Sequence, residues 1–237
     1  MSNDQKREGF HSIEAIIDNN PHRLKKVFLP LKRNDKRIQK LIAKLESQNI
    51  TFERSKKITQ EPNALLSENS KKNFKDLKNK IQNNNSNKLL FLILDNILDP
   101  RNLGACIRSA AISNVDGLII NKHHCAPINE VAHKVSVGSA ELIDIFFVTN
   151  LINCIKYMKK GNINIYGLSE HGELNYTDYN YGENAAFIVG SEEHGIRQKT
   201  IETCDFKINL SKNKLFNSYN VSVATGIILS EVTRQRN

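Results

Sequence analysis

A chain of 237 residues, 39% of them hydrophobic, is long enough for one large or two small domains and apolar enough to bury a core. No apolar run reaches the roughly 18 residues of a membrane span, the opening M-S-N-D-Q-K-R-E-G-F lacks the apolar stretch of a signal peptide, and Cys106, Cys125, Cys154 and Cys204 form no C-x-x-C pair, so a cytoplasmic protein with reduced thiols and neither disulfide nor zinc is expected. The net charge of +9 is uneven: residues 1–88 hold 20 Lys and Arg against 10 Asp and Glu, the remainder 14 against 15, which suits a basic nucleic-acid-binding arm ahead of a near-neutral catalytic body.

In chain order, Ser12 is a candidate cap for a helix carrying Ile13, Ile16 and Ile17, which Pro21 ends. Val27-Phe28-Leu29 reads as a short strand closed by Pro30. From Asp35 to Ser47, Ile38, Leu41, Ile42 and Leu45 fall on one helical face. Ile50-Thr51-Phe52 is a further strand candidate, so residues 1–60 predict a small basic βα module. Residues 61–88 hold few apolar residues, many lysines and an asparagine run, and predict a linker with room for one short helix.

Residues 89–237 read as the main body. Leu89 to Leu94 is a continuous apolar run, the mark of a strand buried on both faces. A helix is expected near Leu103–Ser113, then strands at Leu118–Ile120, Phe146–Val148, Ile163–Tyr166 and Ala186–Val189 with helical stretches between them. That order predicts an open parallel sheet covered by helices, with ligands held by loops beyond the carboxyl ends of its strands.

Three turns of this body carry polar groups suited to chemistry. The first, D-P-R-N-L-G-A-C-I-R-S-A from Asp99 to Ala110, puts Asn102 at a loop-to-helix boundary and Arg108 one helical turn beyond Gly104. The second, I-V-G-S-E-E-H-G-I from Ile188 to Ile196, frames Ser191, Glu192, Glu193 and His194 between two glycines. Its spacing is neither a dinucleotide fingerprint nor a P-loop. The third, N-S-Y-N-V-S-V-A-T-G from Asn217, runs from a polar cluster into an apolar helix that Ser218 or Asn220 can cap. Each alone is compatible with an ordinary strand-turn-helix or a capped helix. No metal-ligand cluster is visible, and His123-His124 reads as a loop.

Taken together, N-L-G-A-C-I-R-S-A, G-S-E-E-H-G-I and S-Y-N-V-S-V-A-T-G resemble the three motifs of the SpoU-type RNA ribose 2′-O-methyltransferases of the SPOUT superfamily. The resemblance covers residues 89–237 and extends through G-F-H-S-I-E-A-I to about residue 60. It implies an α/β body whose C-terminal part threads a trefoil knot, an arrangement that ordinary topology rules argue against. It also implies a small ribosomal-protein-like RNA-binding domain ahead of that body, a homodimer, S-adenosylmethionine as methyl donor, no metal, and a guanosine ribose of 23S ribosomal RNA as acceptor.

By the same resemblance Arg108, Asn102, Glu192 and Asn220 take the catalytic positions, and Gly190, Leu210, Tyr219 and Ser222 those that hold the cofactor or shape its turn. A guanidinium has a pKa above about 12. Arg108 therefore suits orienting the ribose hydroxyl and stabilising a developing alkoxide better than accepting a proton. Two departures stand out. Where the family has I-P-M-x-G this chain reads L-S-K-N-K, Leu210 to Lys214, which predicts a looser wall at the adenine site. Residues 61–75 are shorter and more polar than the usual end of the first domain. A non-catalytic ribosome-assembly factor of the same fold and a transfer-RNA ribose methyltransferase are the alternatives. A Rossmann enzyme would need a glycine-rich loop after the first core strand, which Asp99–Ala110 lacks.

Overall fold

In a computed structural model of the chain, the described residues are 5–67, 71–84, 88–191, 193–211, 213 and 218–237. They divide into two compact units, residues 1–70 with 133–142 and residues 71–132 with 143–237.

The first unit contains β1 (Gln5–Glu8), α1 (Phe10–Asn19), β2 (Leu24–Pro30), α2 (Lys36–Ser47), β3 (Phe52–Ser55) and β4 (Asn63–Leu66). Its sheet runs in the order β1-β4-β2-β3, with β4 antiparallel to both neighbours and β3 parallel to β2. Asp35 starts α2 by accepting the free N–H groups of Arg37 and Ile38 at 3.0 and 3.1 Å. The apolar stripe of α2, Ile38, Leu41 and Leu45, is buried with Phe10, Ile13 and Ile16 of α1 and with Val27, Leu29 and Leu66 of the sheet. Fully burying one such side chain contributes roughly 1.5–3 kcal/mol.

Two local expectations shift. Helix α1 begins at Phe10 behind Gly9, so Ser12 lies buried in its first turn and is not its cap. Strand β3 starts at Phe52, and Ile50 is buried in the turn before it. Residues 61–88 also differ from the linker expected of them. They supply β4 to the first sheet, then β5 (Lys72–Asn73) and α3 (Phe74–Gln82) to the second unit. A capping box fixes α3: Asn73 accepts from Lys75 N at 2.7 Å, and Asp76 accepts from Asn73 N at 2.7 Å.

Residues 133–142 complete the first unit. Gly138 adopts φ +88, and a Cβ there would stand 2.8 Å from the carbonyl oxygen of His11, so only glycine fits. Glu141 follows, its side chain 5% exposed, accepting from Arg7 Nε at 2.9 Å and from Arg23 Nη1. His133 Nδ1 lies 4.0 Å from the same carboxylate.

After α3 the chain continues with β6 (Leu90–Asp95), α4 (Pro100–Ile112), β7 (Gly117–Asn121), α5 (Glu130–Ser136), β8 (Ile145–Val148), α6 (Leu151–Lys160), β9 (Asn164–Leu168), β10 (Leu174–Asn175), β11 (Ala185–Gly190), α7 (Gln198–Ile201), β12 (Phe206–Asn209) and α8 (Val221–Arg236). Eight strands form one sheet in the order β10-β12-β9-β11-β6-β7-β8-β5, and every pairing in it is parallel. Every residue of β6 is buried. Phe91 and Ile93 join a core with Leu77 of α3 and Leu151, Ile155 and Met158 of α6. Leu90, Leu92 and Leu94 alternate to the other face of the sheet, and α8 packs on both α4 and β11. The α/β parallel-sheet class expected from the sequence is what the chain adopts. Among the described residues no helix is long and apolar enough to cross a membrane.

Candidate active site

The carboxyl ends of β6, β9, β11 and β12 lie side by side in the sheet. The turns leaving β9, β11 and β12 enclose a cavity of about 490 Å³. Its wall includes Gly190, Ser191 and Gly195 from the turn after β11, Leu210 after β12, and Ser218 and Tyr219 ahead of α8.

The second motif turn folds back on itself. Ser191 N donates to Gly195 O at 3.1 Å, and Gly195 N donates to Ser191 O at 2.8 Å. Ser191 Oγ accepts from His194 N at 3.2 Å. A Cβ on Gly190 would stand 2.0 Å from the Gly195 carbonyl carbon, closer than any real contact, so glycine is required where the two ends of the turn meet. Gly195 itself has φ +64.

Beyond this turn, Arg197 reaches Asp95, the last residue of β6, whose side chain is 0% exposed. Arg197 N donates to Asp95 Oδ2 at 3.1 Å, while Nε donates to Oδ1 at 2.8 Å and Nη2 lies 2.6 Å from Oδ1.

The first and third motifs meet side by side. Asp99 caps α4 by accepting from Arg101 N at 2.8 Å, and Pro100, whose missing N–H costs nothing at this position, opens the helix. Asn220 caps α8: its Oδ1 accepts from Ser222 N at 2.9 Å and Ser222 Oγ at 2.6 Å. Its Nδ2 donates to Asn102 Oδ1 at 3.2 Å. Below this pair, buried Cys106 and Thr225 stand 3.4 Å apart, Sγ to Oγ1, where α4 crosses α8. Cys106 is 0% exposed, and Arg108 two residues on is exposed on a different side of α4.

The expected site residues therefore fall into three groups. Gly190, Leu210 and Tyr219 line the cavity. Asn102, Asn220 and Ser222 form a hydrogen-bonded group at the adjoining mouth of α4 and α8. Arg108 is not in the wall of its own chain's cavity. Glu192 lies outside the described residues, as do positions 212 and 214 of the altered loop and 215–217 beyond it.

Sequence reasoning missed Ser169, Glu170 and His171, which line the cavity from the turn after β9. The rule that ligands gather at strand carboxyl ends pointed at that turn. The rim pairs, His171 with Glu170 at 3.5 Å and His194 with Glu193 at 3.7 Å, are exposed and contribute little to stability. The interior offers backbone groups, small hydroxyls and the apolar walls of Val189, Ile196 and Leu210. Such a wall suits a flat, hydrogen-bonding ring system.

Comparison with known proteins agrees with this architecture. The family described as SpoU rRNA Methylase matches residues 89–230, and the one described as RNA 2′-O ribose methyltransferase substrate binding matches residues 8–59. The chain is 35% identical over 240 residues to a 23S rRNA (guanosine-2′-O-)-methyltransferase RlmB of Pectobacterium atrosepticum, covering 96% of this chain and 97% of that protein. It is 33% identical to the RlmB of Yersinia pestis, with 96% of each chain covered. Among solved structures, the SpoU methyltransferase AviRb from Streptomyces viridochromogenes in complex with AdoMet superposes with a TM-score of 0.82 at 20% identity, over 98% of this chain and 90% of that one. With three motif turns gathered at the carboxyl end of one parallel sheet and relatives matching along nearly its whole length, the chain belongs to the SpoU rRNA methylase family.

Proposed function

We propose that this chain transfers a methyl group from S-adenosylmethionine to the 2′-oxygen of a guanosine ribose in 23S ribosomal RNA. One observation carries the reading: the second and third motif turns share one cavity through Gly190, Leu210 and Tyr219, and the Asn102–Asn220 bond holds the first motif beside it. Relatives named for this reaction match 96% of the chain.

The cavity fits the donor. About 490 Å³ is within the range of small-molecule sites, which run from about 300 to 1,000 Å³. The apolar flank of Val189, Ile196 and Leu210 would hold the adenine ring, and backbone groups near Leu210 and Tyr219 would read its edge. Glu170, Glu193 and Lys207 bring charge of both signs to the cavity, which suits a ligand carrying both a cation and a carboxylate. When bound, S-adenosylmethionine supplies an already activated methyl on a sulfonium, which needs no Lewis acid.

The protein's own task is alignment and handling of the hydroxyl proton. Asn220 holds the mouth of α8 against Asn102, and Ser222 holds Asn220 in its rotamer. Arg108 orients the acceptor hydroxyl and its neighbouring phosphate and stabilises negative charge on the oxygen as its proton passes to water. Glu192, by its place in the motif, belongs beside the reacting groups. Arg108 is exposed and outside its own cavity. A homodimer that brings Arg108 of one protomer to the cavity of the other supplies what a single chain lacks. Residues 1–60 act as the RNA-binding module, a role that suits their excess of Lys and Arg. The C-terminal trefoil knot and a cytoplasmic location are further parts of the same reading.

The test is transfer of labelled methyl to 23S RNA isolated from cells lacking this protein, followed by mapping of ribose methylation. One labelled guanosine is expected. No transfer, or label confined to transfer RNA, overturns the proposal.

A further inference from the structure

The turn between Gly190 and Arg197 is held at both ends by one residue. In the parallel ladder Gly190 stands opposite Asp95, where the turn departs. Seven positions after Gly190, Arg197 returns to the same residue and gives its carboxylate three contacts, from the backbone N–H, Nε and Nη2, at 3.1, 2.8 and 2.6 Å. Asp95 is 0% exposed, whereas the Arg197 side chain is 38% exposed. The carboxylate is thus the buried member and the arginine the member nearer the surface.

Asp95 also ends β6, from which the chain runs on to the first motif turn. Asn96, next in sequence, adopts φ +67, a left-handed conformation that asparagine tolerates better than most residues. Ile97 is buried and accepts from Ala126 N at 2.7 Å. The chain then enters α4 with Asn102 and Arg108. One buried side chain therefore sits at the root of the turn carrying the arginine and at the closure of the turn walling the cavity.

We propose that Asp95 and Arg197 are a positioning pair. They hold the 190–197 turn in the shape that accepts the cofactor and fix it relative to the start of α4. The inference rests on the cofactor reading above and adds two residues to it. A charged pair suits the task because a fork-shaped guanidinium fixes direction as well as distance, which an apolar contact at the same place does not. Removing either partner leaves the other uncompensated, while removing both does not. The pair is accordingly expected to be non-additive.

The test compares the whole chain with Asp95→Asn, Arg197→Gln and the double variant, by calorimetric titration with S-adenosylmethionine and by hydrogen exchange without it. Each single variant is expected to weaken binding about tenfold, the size of one lost charge-assisted contact. The double variant is expected to lose far less than the product of the two. Exchange should accelerate at residues 190–197 while the amides of β6 and β11 stay protected. Unchanged affinity in both single variants overturns the proposal. So does faster exchange spread evenly through β6 and β11, which marks a merely structural pair. Should Asp95→Asn fail to fold, Arg197→Lys keeps the charge without the fork and is judged on the same two readouts. If the unmodified chain itself does not bind the cofactor, the cofactor reading fails, and exchange in the turn alone decides whether the pair braces it.

Discussion

The ionic hub of the first unit and the cavity of the second use charge in opposite ways. Around Glu141 two arginines and a histidine are closed off from water, and the groups that meet there come from Arg7, Arg23 and residues 133–141, far apart in sequence. Around the cavity the ionisable groups are exposed on the rim, and the walls are glycine, serine and aliphatic. Buried charge with fixed partners holds a fold together. Charge left at the surface remains available to a ligand or to RNA. The hub around Glu141 therefore puts its ionic energy into stability, and the rim of the cavity keeps its own for recognition.

The largest expected effect lies in the hub. Glu141→Ala leaves two buried guanidinium groups without a counter-charge and should destabilise the protein by about 3–5 kcal/mol, measured by denaturant unfolding. A loss below about 1 kcal/mol would erase the contrast between the two regions. Arg108→Ala is the converse experiment. It should cut turnover by about 10²–10³-fold or more and leave the unfolding midpoint and cofactor affinity near those of the unmodified chain. Normal turnover would remove Arg108 from the mechanism.

Acid sharpens the comparison further. Burial, then the nearby Arg7, lowers the His133 pKa to about 4 from its ordinary 6.5. Burial pushes the Glu141 carboxyl up, but Arg7 and Arg23 outweigh it and hold it below its usual range. For both groups the unfolded chain binds protons more readily than the folded one. Stability is therefore fully present above about pH 6.5 and falls as pH drops toward 4. His133 alone accounts for up to about 3 kcal/mol across that window. Urea midpoints measured between pH 7 and pH 4 should show this loss, and His133→Gln should remove most of it. A smaller effect is expected at Asn220. Asn220→Ala removes the cap of α8, about 1 kcal/mol, together with the bond to Asn102. Thermal unfolding reads the first loss and turnover the second.

Local signals made the working half of the molecule legible. The apolar run at Leu89–Leu94 became a strand buried on both faces, and Asn220 caps the helix its position suggested. Gly190, Leu210 and Tyr219 sit in one cavity because each belongs to a turn at the carboxyl end of a strand. What the sequence hid depends on long-range pairing. Strand β4 is Asn63-Ala64-Leu65-Leu66, poor in β-branched residues, and it exists because β1 and β2 flank it. Helix α3 fills the room left for one short helix among lysines and asparagines, and its capping box marks its start. Glu141 meets Arg7 across 134 positions, and Asp95 meets Arg197 across 102. No periodicity or spacing announces such pairs.

The most direct measurement is calorimetry with S-adenosylmethionine on the unmodified chain and on Gly190→Val. A side chain at Gly190 must push Gly195 away, because a Cβ there would already stand 2.0 Å from its carbonyl carbon. One cofactor bound per chain, and none detectable in Gly190→Val, is the result expected if this cavity is the methyl-donor site. Equal binding by both proteins, or none by the unmodified chain, would contradict it.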